Sequence, residues 1–118
     1  LSFSETAALE WAGSGTRVNA VAPGWIMSSG MDTYPEWYQE KILGLAEANP
    51  AKRLGTESET SAAIAFLLSE AAGFISGSCI RVDGAAPNAK GNWPMADHDN
   101  NKPFNGFHLA VTPKIFQK

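Results

Sequence analysis

A proline, a glycine and several hydroxyl groups follow a short apolar run in this chain, and they are the first candidates for chemistry. The run is Arg17–Ala22, in which Val18 and Val21 are β-branched, and it is typical of a buried strand. Pro23 and Gly24 are predicted to end it, since proline lacks a ladder donor and glycine permits a positive φ. The carboxyl ends of strands line the ligand crevice in open α/β sheets. The pattern therefore fits either a plain strand end or the lip of a ligand site.

Tyr38 and Lys41 are a second candidate, because a lysine ammonium beside a tyrosine lowers the pKa of the phenol and prepares it for proton transfer. A tyrosine and a lysine four residues apart would lie one helical turn apart. Here Tyr34 is followed at that spacing by Tyr38, and Tyr38 by Ile42. Packing on a helix is therefore the preferred explanation of Tyr38 and Lys41.

Three further groups carry reactive or metal-binding side chains. Asp97-His98-Asp99 could bind a metal, but adjacent residues rarely converge on one ion without a third ligand elsewhere, so we favour a solvated turn. Cys79 lies in a predicted buried strand and is interpreted as a small core residue, not a nucleophile. His108, between Phe107 and Leu109, is interpreted as a packing or subunit-contact residue.

The first element that must position these residues is an N-terminal helix that ends at Gly13. Because the helical pattern of apolar residues is already present at residue 1, we expect the natural chain to contain residues before it. Its predicted apolar face consists of Leu1, Ala7, Ala8, Trp11 and Ala12.

Two further helices and a second strand follow. A helix is predicted over Tyr34–Ala48, with Pro35 in its first turn. Thr56-Glu57-Ser58-Glu59 is a T-x-x-E capping box that begins the third helix, and Ser78–Val82 is the second strand, ended by Asp83-Gly84. The predicted apolar face of the third helix consists of Ile64, Leu67, Leu68 and Ala71.

A strand, two helices and a strand with no hairpin signal indicate a parallel crossover, and hence an α/β fold. Two strands make a small sheet, so we expect further strands outside this chain. Residues 25–33 are predicted to be a loop. From Ala85 the sequence is rich in proline, glycine, asparagine and aspartate. The chain is therefore divided into a domain part, 1–84, and an irregular C-terminal extension, 85–118.

Composition limits the class of protein. The 118 residues suit one small domain, with 44% hydrophobic and 18% charged residues. The net charge of −3 gives no reason to expect a nucleic-acid or anionic-membrane partner. No apolar run approaches a membrane span, no signal peptide is evident, and a single cysteine fits a reducing compartment. We expect a cytoplasmic protein, or a peroxisomal one in a eukaryote.

The stretches "LEWAGSGTRVNAVAPGWI" and "PAKRLGTESETSAAIAFLLSEAAGFISGSCIRVDG" resemble the C-terminal half of the short-chain dehydrogenase/reductase family. The resemblance covers about residues 1–84. It implies the C-terminal portion of a Rossmann-type doubly wound parallel sheet, ordered helix, strand, helix, helix, strand, followed by the irregular tail. It also implies NAD or NADP as cofactor and a small-molecule substrate. The tail "MADHDNNKPFNGFHLAVTPK" is faintly similar to peroxisomal trans-2-enoyl-CoA reductases and related bacterial enzymes.

The resemblance also assigns site residues. Pro23 and Gly24 match the family's Pro-Gly motif at the nicotinamide end of the cofactor. Ile26 matches a position that offers backbone groups to the carboxamide, and Ser28 one whose hydroxyl meets the cofactor phosphates. The segment 25–49 matches the substrate loop that commonly acts as a lid. The tryptophans considered for an acyl-substrate pocket are Trp25, Trp37 and Trp93, of which Trp25 and Trp37 lie in that loop.

Two expected motifs are not among these 118 residues: the Gly-rich turn that receives the pyrophosphate, and the catalytic Tyr-x-x-x-Lys. Gly13-Ser14-Gly15 follows a helix and precedes a strand, the reverse of what the turn requires. No catalytic residue is assigned, and we expect no turnover from the isolated chain. One hypothesis is a segment of an NAD(P)-dependent oxidoreductase acting on a carbonyl, alcohol or enoyl substrate, within a homo-oligomer. The other is a truncated, non-catalytic module that self-associates.

Overall fold

The computed structural model describes residues 1–89, 91, 95–106 and 112–117. Helices and strands alternate along most of the chain, and short 3-10 turns connect several of them. The elements are α1 (Ser2–Trp11), β1 (Ala20–Pro23), β2 (Ile26–Met27), α2 (Glu36–Ala48), β3 (Gly55–Thr56), α3 (Glu57–Leu68) and β4 (Cys79–Val82).

The strands β1 and β4 form a parallel pair, as the sequence predicted. Their register places Ala20 opposite Cys79 and Pro23 opposite Val82. Pro23 was predicted to end the strand but is its last residue. It is tolerated at this end position because its missing N–H costs no ladder bond there.

The first strand begins at Ala20, three residues later than predicted. The residues just before it lie outside the β-ladder, and their side chains hydrogen-bond to backbone groups of other segments. The Arg17 guanidinium donates to the carbonyls of Leu67 at 2.8 Å and Ile75 at 3.2 Å. The Asn19 amide donates to Ile75 O at 2.8 Å and accepts from the Ser78 N–H at 3.0 Å. These contacts fix the crossover between β1 and β4.

A second parallel pair, β2 with β3, lies within a segment predicted to be a loop. Ile26 is opposite Gly55 and Met27 is opposite Thr56. The predicted loop 25–33 therefore begins with a short strand and continues into a 3-10 turn, Ser29–Thr33. Each strand has only two residues, so no alternation was available to predict them.

Both later helices begin close to their predicted starts. Pro35 precedes the first turn of α2 with an extended ψ of 149°, so the helix begins at Glu36, two residues later than predicted. The capping box of α3 is confirmed. The Glu59 N–H donates to the Thr56 hydroxyl at 3.2 Å, and the Thr56 N–H donates to the Glu59 carboxylate at 2.9 Å.

The principal core lies between α2 and the C-terminal tail, around the buried side chains of Met31, Ile42 and Leu54. Tyr38 packs against this cluster, as do Ile115 and Phe116 of the tail. The tail extension is therefore part of the core, although its backbone is irregular.

The predicted apolar faces of α1 and α3 are buried only in part. Ala7, Ala8 and Leu67 are buried, whereas Leu1 is 73% exposed and Leu68 80% exposed. The two-stranded β1·β4 sheet is too narrow to cover both helices. The other exposed residues of the two predicted faces are Trp11, Ala12, Ile64 and Ala71. No helix formed by the described residues is both long and apolar enough to cross a membrane.

Candidate site at the carboxyl edge of the sheet

The carboxyl ends of β1 and β4 meet at one edge, and Gly24 lies at their closest approach. Its N–H donates to Val82 O at 2.9 Å. A Cβ on Gly24 would lie 2.8 Å from Cβ and 2.9 Å from Cα of Asp83. Glycine is needed here for space, because no side chain fits between the two strand ends.

Ile26 presents backbone groups on the side of β2 that faces away from β3. Gly55 N–H donates to Trp25 O at 2.9 Å, so the carbonyl of Trp25 faces β3. Backbone groups of successive strand residues point to opposite sides, and the N–H and C=O of Ile26 therefore point away from β3. This leaves one donor and one acceptor side by side at the edge of the two-stranded ladder.

Ser28 follows directly, at the start of the 3-10 turn. It is half-buried and extended, with φ −143° and ψ 159°. Its carbonyl accepts from the Met31 N–H at 3.0 Å. None of the residues that the structure describes hydrogen-bonds to its hydroxyl, which leaves that group able to bind a ligand oxygen.

Of the two tryptophans predicted for the substrate loop, Trp25 lies between β1 and β2 and Trp37 lies in α2. Trp25 is 50% exposed, and its backbone is held by Gly55. Trp37 is 62% exposed in the first turn of α2, where its ring stacks edge-on with Tyr38 at 5.5 Å. Trp93, the third tryptophan considered, lies outside the described residues.

The turn after β4 contains a left-handed residue that is not glycine. Gly84 has φ +60° and Ala85 has φ +65°. Ala85 adopts this conformation although it carries a Cβ, which disfavours a positive φ. The Asp83 carboxylate supports the turn by accepting from the Ala85 N–H at 2.9 Å.

Asp83 is also paired with Arg81, whose Nε donates to it at 2.7 Å. This hydrogen bond lowers the pKa of the Asp83 carboxyl. Desolvation opposes the effect, and the Ala85 N–H adds to it. The amide of Asn49 donates to Asp83 O at 3.1 Å, which ties the turn to the end of α2. These contacts therefore favour the ionised form of the Asp83 carboxyl group and fix the position of the turn.

A second polar cluster, centred on Arg53 and Glu59, was missed by sequence reasoning. The guanidinium of Arg53 donates to both Glu59 oxygens, at 2.8 Å and 2.6 Å. Its Nε donates to the Asn101 side chain at 2.8 Å. The capping box pointed to Glu59, but the six-residue separation from Arg53 matches no regular spacing. No local signal linked either residue to the tail.

The pKa of the Glu59 carboxyl is lowered overall. Burial raises it, but the Arg53 hydrogen bond and the N–H groups of Thr56 and Phe104 lower it by more, with the charge of Arg53 adding to the effect. The carboxylate is thus a half-buried acceptor that joins α3 to residues 101–104 of the tail.

A cavity of about 310 Å³ opens between these two polar clusters. Such a volume is at the lower end of small-molecule sites. Its wall consists of residues from the α2–β3 loop, from α3, from the turn after β4 and from the tail. The polar side chains in it are Asn49, Arg53, Glu59, Arg81, Asp83 and Asn101. Pro23, Gly24, Ile26 and Ser28 lie outside this wall, on the neighbouring β1 and β2 segment.

The remaining chemical candidates occupy other places. The ammonium of Lys41 lies 5.1 Å from the Trp37 ring centroid, while Tyr38 packs on the core. His98 Nε2 lies 3.0 Å from Pro50 O. Among the described residues, no group of three or more His, Cys, Asp or Glu side chains could hold a metal ion. Cys79 is a half-buried free thiol in β4, and His108 lies outside the described residues.

Comparison with known proteins matches most of the chain. The sequence model of a family described as enoyl-(acyl carrier protein) reductase matches residues 1–85. Glucose 1-dehydrogenase 2 of Bacillus subtilis is 43% identical over 83 residues, which cover 70% of this chain and 31% of that protein. Galactitol 2-dehydrogenase (L-tagatose-forming) of Cereibacter sphaeroides is 41% identical over 80 residues, covering 65% and 30% respectively.

A solved structure gives the same result. The citronellol catabolism dehydrogenase AtuB of Pseudomonas aeruginosa PAO1 is 53% identical, with a TM-score of 0.56 over 72% of this chain and 30% of that one. This chain therefore spans about three tenths of the length of the relatives it matches. Sequence and architecture agree over α1 to β4, and on both grounds the chain belongs to the short-chain dehydrogenase/reductase family.

Proposed function

We propose that this chain is a segment of an NAD(P)-dependent oxidoreductase that acts on a carbonyl, alcohol or enoyl substrate. Residues 23–28 supply the rim of the nicotinamide site, and the segment 25–49 supplies the substrate lid. The observation that carries the proposal is the side of β2 that faces away from β3, which no other strand of the described residues pairs with. Ile26 offers a backbone donor and acceptor there, and the Ser28 hydroxyl is half-buried without a partner among the described residues.

These groups fit the cofactor chemically. A carboxamide has one carbonyl acceptor and one NH₂ donor, which complement the N–H and C=O of Ile26. The Ser28 hydroxyl can donate to a phosphate oxygen, a charge-assisted bond. The cofactor, when bound, supplies the hydride, and the protein binds and orients it. Trp25 and Trp37 add exposed aromatic surface that suits the apolar part of a substrate.

The test uses the protein expressed from its own reading frame, with whatever residues that frame supplies on either side. We expect Ser28→Ala to raise the Kd for NADH or NADPH about tenfold, since a hydrogen bond to a charged group contributes about 1.5–3 kcal/mol. Ser29→Ala is the matched control, because Ser29 is the exposed neighbouring serine. Fluorescence titration measures both variants. An equal response of both, or no binding of either nucleotide by the wild type, would contradict the proposal.

The chain contains no Tyr-x-x-x-Lys, so we expect the isolated 118 residues to have no turnover. Hydride transfer by this isolated chain would contradict the proposal that the segment supplies only the rim of the nicotinamide site and the substrate lid. The free thiol of Cys79 is compatible with a reducing, cytoplasmic location.

Self-association is the second candidate function, as a homo-oligomer or as a non-catalytic module. It is favoured by the exposure of large apolar side chains on and after α3. Leu68 is 80% exposed and Phe74 fully exposed. Apolar surface of this kind marks interaction sites. A stable monomer in light scattering would count against this candidate.

A further inference from the structure

We propose that the C-terminal tail is a strap that fixes the position of α2 and so determines which substrates the lid admits. The strap consists of residues 95–106 and 112–117. The part of this inference that concerns substrates rests on the proposed function of α2 as a lid. The part that concerns the position of α2 rests only on contacts within this chain.

The first anchor of the strap is at the N-terminus of α3. Arg53 donates to Asn101 and, at 3.3 Å, to the carbonyl of Lys102. The Phe104 N–H donates to the Glu59 carboxylate at 3.2 Å, and the Thr56 hydroxyl donates to the Phe104 carbonyl. Of these four hydrogen bonds, three involve the charged group of Arg53 or Glu59, and together they hold Asn101, Lys102 and Phe104 against one helix end.

The second anchor is at the turn that precedes α2. The Lys114 N–H donates to the Asp32 carboxylate at 2.8 Å. Lys114 begins the 3-10 turn Lys114–Phe116, and the preceding Pro113 is fully buried. Ile115 and Phe116 pack on the Met31, Ile42 and Leu54 cluster, which includes the buried face of α2. From the tail side, one charged hydrogen bond thus holds the turn before the lid helix, and two apolar side chains pack on the cluster that contains the helix's Ile42.

A cavity of about 630 Å³ lies between α2 and the strap. Leu43 and Gly44 of α2 line it, as do Pro103, Ile115 and Phe116 of the strap. Close packing does not fill this space, so packing alone does not set the distance between the helix and the strap. The two anchors set that distance, and Asp32 lies in the 3-10 turn that precedes α2.

The experiment measures amide hydrogen exchange in the full chain and needs neither cofactor nor turnover. Asp32→Ala removes the acceptor of the Lys114 N–H, and we expect exchange across α2 to rise about tenfold while exchange in α1 and β4 stays unchanged. Asp32→Asn keeps an acceptor oxygen and should restore most of the protection. Asp99→Ala is the matched control, since the Asp99 carboxylate is 94% exposed and pairs with the Lys102 ammonium at 3.5 Å.

Unchanged amide exchange in α2 of Asp32→Ala would overturn the proposal. An equal rise of exchange in α1, α2 and β4 would also overturn it, because that result indicates a general loss of stability. Should Asp32→Ala fail to fold, Arg53→Lys tests the first anchor. Lysine keeps the positive charge of Arg53 but lacks the planar guanidinium that donates to both Glu59 oxygens. We expect faster exchange at residues 101–104 and in α2.

Substrate choice is tested separately, in whichever protein binds NAD(P)H. We expect Asp32→Ala to change the ratio of kcat/KM between long and short substrates at least fivefold and to leave the KM for the nucleotide unchanged. An unchanged ratio together with raised exchange in α2 would overturn the specificity role alone. The hydrogen-exchange result does not depend on whether Ser28→Ala loses nucleotide binding. The proposed function and the strap can therefore fail independently.

Discussion

Gly24 and Gly13 differ in what a methyl group would contact, and that difference makes a test of the carboxyl edge. At Gly24 the new Cβ would be 2.8 Å from the Cβ and 2.9 Å from the Cα of Asp83, whereas at Gly13 no atom lies within 4 Å. We expect Gly24→Ala to lower the free energy of unfolding by about 1–3 kcal/mol, because backbone must shift to admit it. Gly13→Ala should cost nothing. Urea denaturation measures both, and equal stabilities would contradict the close approach.

At the residue scale, the sequence identified residues at the carboxyl edge of the sheet, but it did not identify the polar residues that support the neighbouring segments. Pro23, Gly24, Ile26 and Ser28 were identified because short motifs carry them. Their roles as cofactor contacts remain predictions. Arg53 was not identified, since its partners lie six residues away in α3 and 48 residues away at Asn101. Contacts across such separations depend on the folded chain, which spacing alone does not reveal.

The N-terminus of α3 gives a prediction about pH. Because the pKa of Glu59 is lower in the folded chain than its ordinary value, its ionisation stabilises the fold above that ordinary pKa. This stabilisation is lost as the pH falls from the ordinary pKa through the folded pKa. We expect Glu59→Gln to be less stable than the wild type at pH 7, with the difference shrinking as the pH falls. Urea unfolding across pH 3–7 measures it, and a difference that does not depend on pH would contradict the pairing with Arg53.

At the scale of elements, long periodic segments were predicted and two-residue strands were not. The helices α1, α2 and α3 were found from apolar spacing and a capping box, and β1 and β4 from apolar runs between turn residues. The short β2 and β3 exist because the segment after β1 lies beside the segment before α3. Tertiary contact creates them, and no local pattern encodes it.

At the scale of the whole molecule, an apolar groove lies open between the β1 segment and α3. Ile64 and Leu68 line an open groove with Val18 and Val21. We expect this groove to drive association of the isolated chain, and Leu68→Gln to lower the mean mass seen in light scattering. Trp37→Ser is the control, since it removes an exposed apolar side chain of α2. An equal effect of both variants would place the contact elsewhere.

The bonds that close the crossover also have a consequence for the order of folding. Asn19 and Ser78 are 59 residues apart in sequence, so their contact closes a long loop at a large entropic cost. The capping box of α3 joins residues only three apart and can form early. We therefore expect the edge that carries Pro23 and Gly24 to assemble late, after α3, with a refolding rate limited by the pairing of β1 with β4.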